Sequence, residues 1–187
     1  MPCLRWRGGG VSDDLHKRVL GRIARLFDAP VIQNNLRGLY VEFVVAELLG
    51  EGWLHNGSDW AAYDFEHSGG ARVEVKQSSK AQTWKAPLSS PIRSFSIRAP
   101  KQEWIRSVST PGKGRPALIY IFAWHGGYSV EDDQRDAQQW TFFVVPAWLL
   151  PDQKTVSLNV LRRLAEPVRS HQLRVSVEAL LTEGLIQ

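Results

Sequence analysis

The chain is predicted to fold as an α/β domain with a central mixed β-sheet flanked by helices, on three observations. Residues 117–124, Ala-Leu-Ile-Tyr-Ile-Phe-Ala-Trp, are continuously apolar, as in a strand buried on both faces. Residues 60–67 and 71–78 read as two strands joined by Ser68-Gly69-Gly70, a three-residue hairpin loop with a glycine in the left-handed conformation. Val41, Val44, Val45, Leu48 and Leu49 recur at the spacing of a helix that lays one face on a sheet.

Taken in order, residues 12–27 place Leu15, Val19, Ile23 and Leu26 at helical spacing, with Ser12 or Asp13 as the N-cap of an amphipathic helix. The second helix opens at Asn34 or Asn35 and ends at Gly50. After the hairpin, residues 79–115 form a polar, proline-punctuated excursion over the surface, with Phe95-Ser96-Ile97 as a short strand and residues 102–108 as a short helix. The buried strand 117–124 belongs at the centre of the sheet. Residues 131–139 are a polar loop, and residues 140–145 are another strand, stopped by Pro146. Helices over 158–166 and 175–183 complete the chain.

With 187 residues, 43% of them hydrophobic, the chain suits one core and hence one domain over 1–187. The lone Cys3 cannot form an internal disulfide, no apolar run is long enough to cross a membrane, and the first residues do not read as a secretory signal. A cytoplasmic location is therefore expected. Charge is unevenly spread. Between Lys76 and Arg115 nine basic residues face one acid, Glu103, whereas residues 38–71 hold six acids and no Lys or Arg. A carboxylate-rich block beside a basic one is the pattern of a metal site next to a phosphate-binding surface, although dispersed Lys and Arg also simply solvate loops.

The hairpin concentrates the chemistry. On the second strand Glu74 and Lys76 share one face while Val73 and Val75 point into the core. The loop length sets Asp64 opposite Glu74, with cross-strand Cβ atoms roughly 5 Å apart. Two carboxylates at that distance repel unless a cation joins them, and Mg²⁺ is commonly held by one or two carboxylates plus water and substrate phosphate. Glu42 lies at the edge of the second helix's apolar stripe, where it can look into a cleft, and Gly38 leaves open room one turn before it. His55, His67 and His125 stand apart, so no zinc set is read, and Asp132, Asp133 and Asp136 read as a solvated loop.

Helical Glu42, then Asp64, then Glu74-Val75-Lys76-Gln77 across a glycine hairpin resembles the PD-(D/E)XK nuclease superfamily, the restriction endonuclease-like fold. The stretch from Arg37 to Glu42 makes the chain most similar to compact Mrr-like or Holliday-junction resolvase-like members, over about residues 34–125. Tyr63 stands where the nominal Pro of the motif would precede Asp64. The resemblance implies a Mg²⁺- or Mn²⁺-dependent endonuclease acting on DNA. Asp64, Glu74 and the backbone carbonyl of Val75 would hold the metal, Glu42 would bind its water or a second ion, Lys76 would orient the attacking water, and Gln77 would position water or phosphate. Arg37, Ser78, Lys80, Trp84, Lys85, Arg93 and Arg98 are the candidate nucleic-acid contacts, and a homodimer is the expected assembly. An RNA-directed nuclease and a non-catalytic nucleic-acid-binding protein are the alternatives.

Overall fold

The computed structural model describes residues 13–57, 61–84, 93–99, 102–105, 108–112 and 114–182. It is an α/β structure built on a five-stranded mixed sheet. Strands β1 (Trp53–His55), β2 (Phe65–His67) and β3 (Arg72–Ser79) form an antiparallel meander. Ser94–Ser96 (β4), Gln102–Ile105 (β5) and Val108–Pro111 (β6) follow outside the sheet. Ile119–His125 (β7) then pairs parallel to β3, and Trp140–Pro146 (β8) pairs antiparallel to β7, giving the order β1-β2-β3-β7-β8. All seven side chains of β7 are buried, as its apolar run demands of a strand with neighbours on both edges.

Helices cover both faces. Asn34–Leu49 (α2) and Leu173–Thr182 (α4) pack on one side, where Val41, Val45, Leu49, Leu173 and Val177 meet Phe65, Val73, Val75, Ile119, Ile121 and Phe142. On the other side Leu158–Leu164 (α3) joins a two-stranded ribbon of β4 and Thr155–Ser157 (β9), and Phe95, Val156, Leu158 and Leu161 cover Tyr120, Phe122, Phe143 and Val145. In the first helix, Asp13–Arg25 (α1), residues 14–25 are all exposed. Among the described residues no helix is long and apolar enough to cross a membrane.

Several expectations are corrected. Residues 102–108 are not helical: β5 and β6 form an antiparallel pair, Gln102 to Pro111 through Ile105 to Val108. Trp, Ile, Val and Thr there favour the extended pleat. Strand β1 was not foreseen because three residues carry too short a pattern. The first hairpin strand is confined to Phe65–His67, and residue 60 of the expected span lies outside the described residues. Neither Asn34 nor Asn35 caps α2: Gln33 takes that position without a side-chain cap. The loop 131–139 is anchored rather than merely solvated, because buried Gln134 accepts from the Ile32 N–H (2.8 Å) and donates to Ser79 Oγ (2.8 Å) and the Ala81 carbonyl (3.0 Å).

Candidate active site

Where β2 leaves β3 the sheet opens into a notch, and Asp64 stands in it. The last paired residues are Phe65 and Val73. The turn below them closes with His67 N–H to the Ala71 carbonyl (2.7 Å) and Gly70 at φ +89°, the left-handed glycine that a three-residue loop needs. One residue beyond the ladder, Asp64 is fixed three ways. Its N–H donates to the Val73 carbonyl (2.9 Å), its carbonyl accepts from the Asn56 N–H (2.7 Å), and its carboxylate accepts from the Val75 N–H at 2.6 Å. That last bond turns the carboxylate along the edge of β3, into the gap that a longer β2 would fill.

Glu74 and Lys76 alternate with Val73 and Val75 along β3, so they project from the face opposite α2, and Lys76 Nζ donates to Glu74 Oε1. Glu42 reaches from α2, and His55 on β1 lies 3.4 Å from its carboxylate, Nε2 to Oε2. The register sets His55 against Phe65, the neighbour of Asp64, and brings the imidazole within electrostatic reach of the Asp64 carboxyl. Its ring is lodged between Phe43 (5.2 Å between centroids) and Phe65 (5.1 Å). His55 is the residue that sequence reasoning missed. Its strand was not read, and 13 residues separate it from Glu42, so no local pattern announces the pair.

The electrostatics follow from burial without enough counter-charge. Burial, then the neighbouring Asp64, pushes Glu74 up to about 7, with Lys76 opposing. Burial raises Asp64 above the ordinary carboxylate range against the pull of the Val75 N–H, Lys76 and His55. Glu42 is raised as well, by burial and by Asp64, with the His55 hydrogen bond opposing. For Lys76 burial works against the charge, but Glu74, Asp64 and Glu42 outweigh it and hold the ammonium above its usual pKa. Three carboxyls with raised pKa values therefore act on one ammonium, which bonds Glu74. Tyr120, paired with Glu74 across to β7, is raised by burial and then by Glu74, so its phenol keeps its proton.

Among the described residues no three His, Cys, Asp or Glu side chains stand close enough to enclose a metal ion. Mg²⁺ does not require three, since it keeps several waters and is bound through one or two carboxylates. Asp64 and Glu74 supply hard oxygen donors from the residue just before β2 and from β3, and burial, the first cause of their raised pKa values, disfavours leaving them charged without a cation. The donor set fits the ion. No protein-family model matches the chain, and no curated protein matches it.

The remaining candidates are placed unevenly. Arg37 is fully buried and cannot touch nucleic acid. Its guanidinium donates to Gln77 Oε1 (2.7 Å), Asn34 Oδ1 (2.7 Å), Gln82 Oε1 (3.2 Å) and the Ile32 carbonyl (3.3 Å), and burial brings it down to about 10. Gln77 is thereby turned to the α2 side, where its amide also donates to the Asn34 carbonyl (3.3 Å), so it joins helix to strand and does not face Lys76. Ser78 is buried, 5% exposed, which removes it from any open phosphate surface. Lys80, Arg93, Arg98 and Trp84 are exposed, Lys80 lying over the Tyr128 ring at 5.4 Å, and Lys85 lies outside the described residues. Of the other basic residues in that stretch, Arg115 is turned inward to the carbonyls of Leu150 (3.3 Å) and Pro151 (2.6 Å). The acids of that loop are already partnered: Asp133 pairs with Arg135 at 2.6 Å and Asp136 caps a short 3₁₀ turn. His67 packs on Trp53 and His125 on Trp140.

Proposed function

We propose that this chain is a Mg²⁺-dependent phosphodiesterase that cuts DNA, with a restriction endonuclease-like fold. The observation that carries the reading is the edge of β3, where Lys76 bonds Glu74, the Val75 N–H holds the Asp64 carboxylate, and Glu42 reaches in from α2 beside His55. Support for the fold comes from the helix that precedes an antiparallel β1-β2-β3 meander and from the parallel strand β7 added beside β3.

Asp64, Glu74 and the Val75 carbonyl would hold the ion, which when bound polarises the scissile phosphate and supplies hydroxide near neutral pH. The residues of the chain do the rest. Lys76, held protonated by three acids, is no general base at neutral pH; it is a fixed positive charge beside the reacting phosphate, where charge grows in the transition state. Its attachment to Glu74 sets where that charge lies. Glu42 accepts from the attacking water or a water of the ion, and His55 fixes the rotamer with which it does so. The hydrogen bond from the Val75 N–H leaves one Asp64 oxygen committed and the other available.

The test is incubation of purified protein with supercoiled plasmid, linear duplex, four-way junction, single-stranded DNA and RNA, each in Mg²⁺, Mn²⁺ or EDTA. Metal-dependent cutting of DNA that is lost in Asp64→Ala supports the reading. Preferential cutting of RNA changes the substrate class. Salt-sensitive DNA binding without any cutting establishes a non-catalytic binder instead.

A further inference from the structure

A cavity of about 410 Å³ opens where β7 ends and β8 begins, and it shares no residue with the notch. Its floor comes from the sheet. Trp124 on β7 pairs with Thr141 on β8, and both line the space. Its outer wall is basic. Arg162 comes from the last turn of α3, which packs on this face of the sheet through Leu158 and Leu161, and Arg169 comes from the segment beyond that helix. That segment is fixed in place: Val168 exchanges two hydrogen bonds with Phe142 (2.9 and 2.8 Å), and the Arg169 N–H donates to Gln172 Oε1 (2.9 Å). The third wall is the turn Gly126-Gly127, where side chains have no room. A Cβ on Gly126 would stand 3.1 Å from Trp124 Nε1, and one on Gly127 would overlap the Asp132 carboxylate.

The residues around this space bring hydrogen-bond donors in excess. Among the described residues none accepts from either guanidinium, from the Trp124 indole N–H or from the Thr141 hydroxyl, and no Asp or Glu lines the cavity. Asp132, behind Gly127, is turned to the Ser129 N–H. An arginine in the last turn of α3 complements the helix dipole, but Arg169 lies outside any such turn, so the dipole does not explain the pair. A recess with two guanidiniums and no acid suits an oxyanion, and the guanidinium fork matches phosphate. The volume falls within the range of about 300 to 1,000 Å³ typical of small-ligand sites, more than a bare phosphate fills. We propose that the cavity binds a nucleotide through its phosphate, clamped between Arg162 and Arg169, with Trp124 and Thr141 donating from the floor. Lys80 extends the same chemistry. Its N–H donates to the His125 carbonyl (3.0 Å) and its ammonium lies over the exposed Tyr128 ring, so a further cation and ring stand at this end of the sheet. The nucleotide is either free or part of a nucleic-acid strand; only the second source rests on the function proposed above.

Calorimetric titration of the full chain in EDTA with dAMP and with inorganic phosphate tests this, beside binding of labelled single-stranded and duplex DNA across a salt series. Wild type is expected to bind dAMP one to one and more tightly than phosphate. Arg162→Gln with Arg169→Gln weakens dAMP by about tenfold or more, and Thr141→Val weakens it by a smaller factor. Arg163→Gln, in the same turn of α3 but outside the cavity, leaves it unchanged. Both cavity arginines are exposed, and a thermal unfolding curve checks that the variants fold. If the nucleotide belongs to a strand, the double variant lowers the slope of log affinity against log salt by about two. If it is free, that slope is unchanged while dAMP binding is lost. A wild type that binds no dAMP, together with an unchanged salt slope in the double variant, overturns the proposal. A like loss of dAMP in Arg163→Gln also overturns it, since surface charge alone is then at work, and so does phosphate that binds as tightly as dAMP. Cutting is absent in EDTA, so a failure here leaves the nuclease reading standing, and a protein that cuts nothing leaves this test intact.

Discussion

Glu74→Gln is expected to stabilise the metal-free protein at pH 8 and to leave it nearly unchanged at pH 5. The carboxyl ordinarily titrates at 4.5 and here at about 7, so the folded state holds its proton more tightly than the unfolded chain does. The stability this contributes is fully present below the unfolded pKa and is lost as pH rises through about 7. At 1.36 kcal/mol for each tenfold change in proton affinity, the loss between pH 5 and pH 8 is about 2 to 3 kcal/mol. Glutamine keeps the shape and never ionises. Against this gain stands the lost partner of Lys76, which is about one-third exposed and so partly screened, worth about 0.5 kcal/mol. The net expectation is about 2 kcal/mol at pH 8, or roughly 4 to 8 °C in Tm for a chain of this size. Thermal or urea unfolding in EDTA across pH 5 to 8 reads it directly. Adding Mg²⁺ at pH 8 should raise the Tm of wild type and not of the variant, because only the former keeps the full donor set. A difference between the two proteins that is independent of pH, or a Glu74→Gln protein that is the less stable at pH 8, refutes this linkage.

Substitutions at three other positions probe separate parts of the molecule. Arg37→Met removes a buried cation and strands four oxygens that now accept from it, so it should lower stability by about 3 kcal/mol in urea unfolding while leaving the salt dependence of DNA binding unchanged. A changed salt slope would return Arg37 to the nucleic-acid surface. Gly38→Ala should raise stability by about 0.5 to 1 kcal/mol, since the position is inside a helix and an added methyl meets nothing within 4 Å. His55→Ala should slow cleavage by about tenfold through a loose Glu42, and His55→Gln, which can still donate to that carboxylate, should recover part of the rate. Equal losses in the two His55 variants would point to packing against Phe43 and Phe65 instead.

The parts of the fold legible in the sequence are those written in local patterns. The apolar run of β7, the alternation of β3, the glycine loop with Gly70 at positive φ and the α2 stripe each signal themselves within a few residues. What escaped depends on distant partners. Strand β1 is three residues long and exists through its pairing with β2, and with it His55 arrives beside Glu42. Arg37 looks like a surface cation in the sequence. Only the folded chain shows four neutral oxygens gathered around it from α2, β3 and the loops beside them. Gln77 was drawn toward the site by its place after Lys76, yet strand alternation turned it to α2, as the period of two requires. The β5–β6 pair was mistaken for a helix because polar residues interrupt its short apolar segments and leave neither period clear.

The most direct test of the central claim is plasmid nicking in Mg²⁺ by wild type beside Lys76→Met, with Mg²⁺ binding to both proteins measured by calorimetry. Wild type is expected to nick, and Lys76→Met to bind the ion still through Asp64 and Glu74 while its cutting falls by about a thousandfold, the scale expected for one preorganised charge at the reacting phosphate. A Lys76→Met protein that cuts as well as wild type, or a wild type that neither binds Mg²⁺ nor nicks DNA, would contradict it.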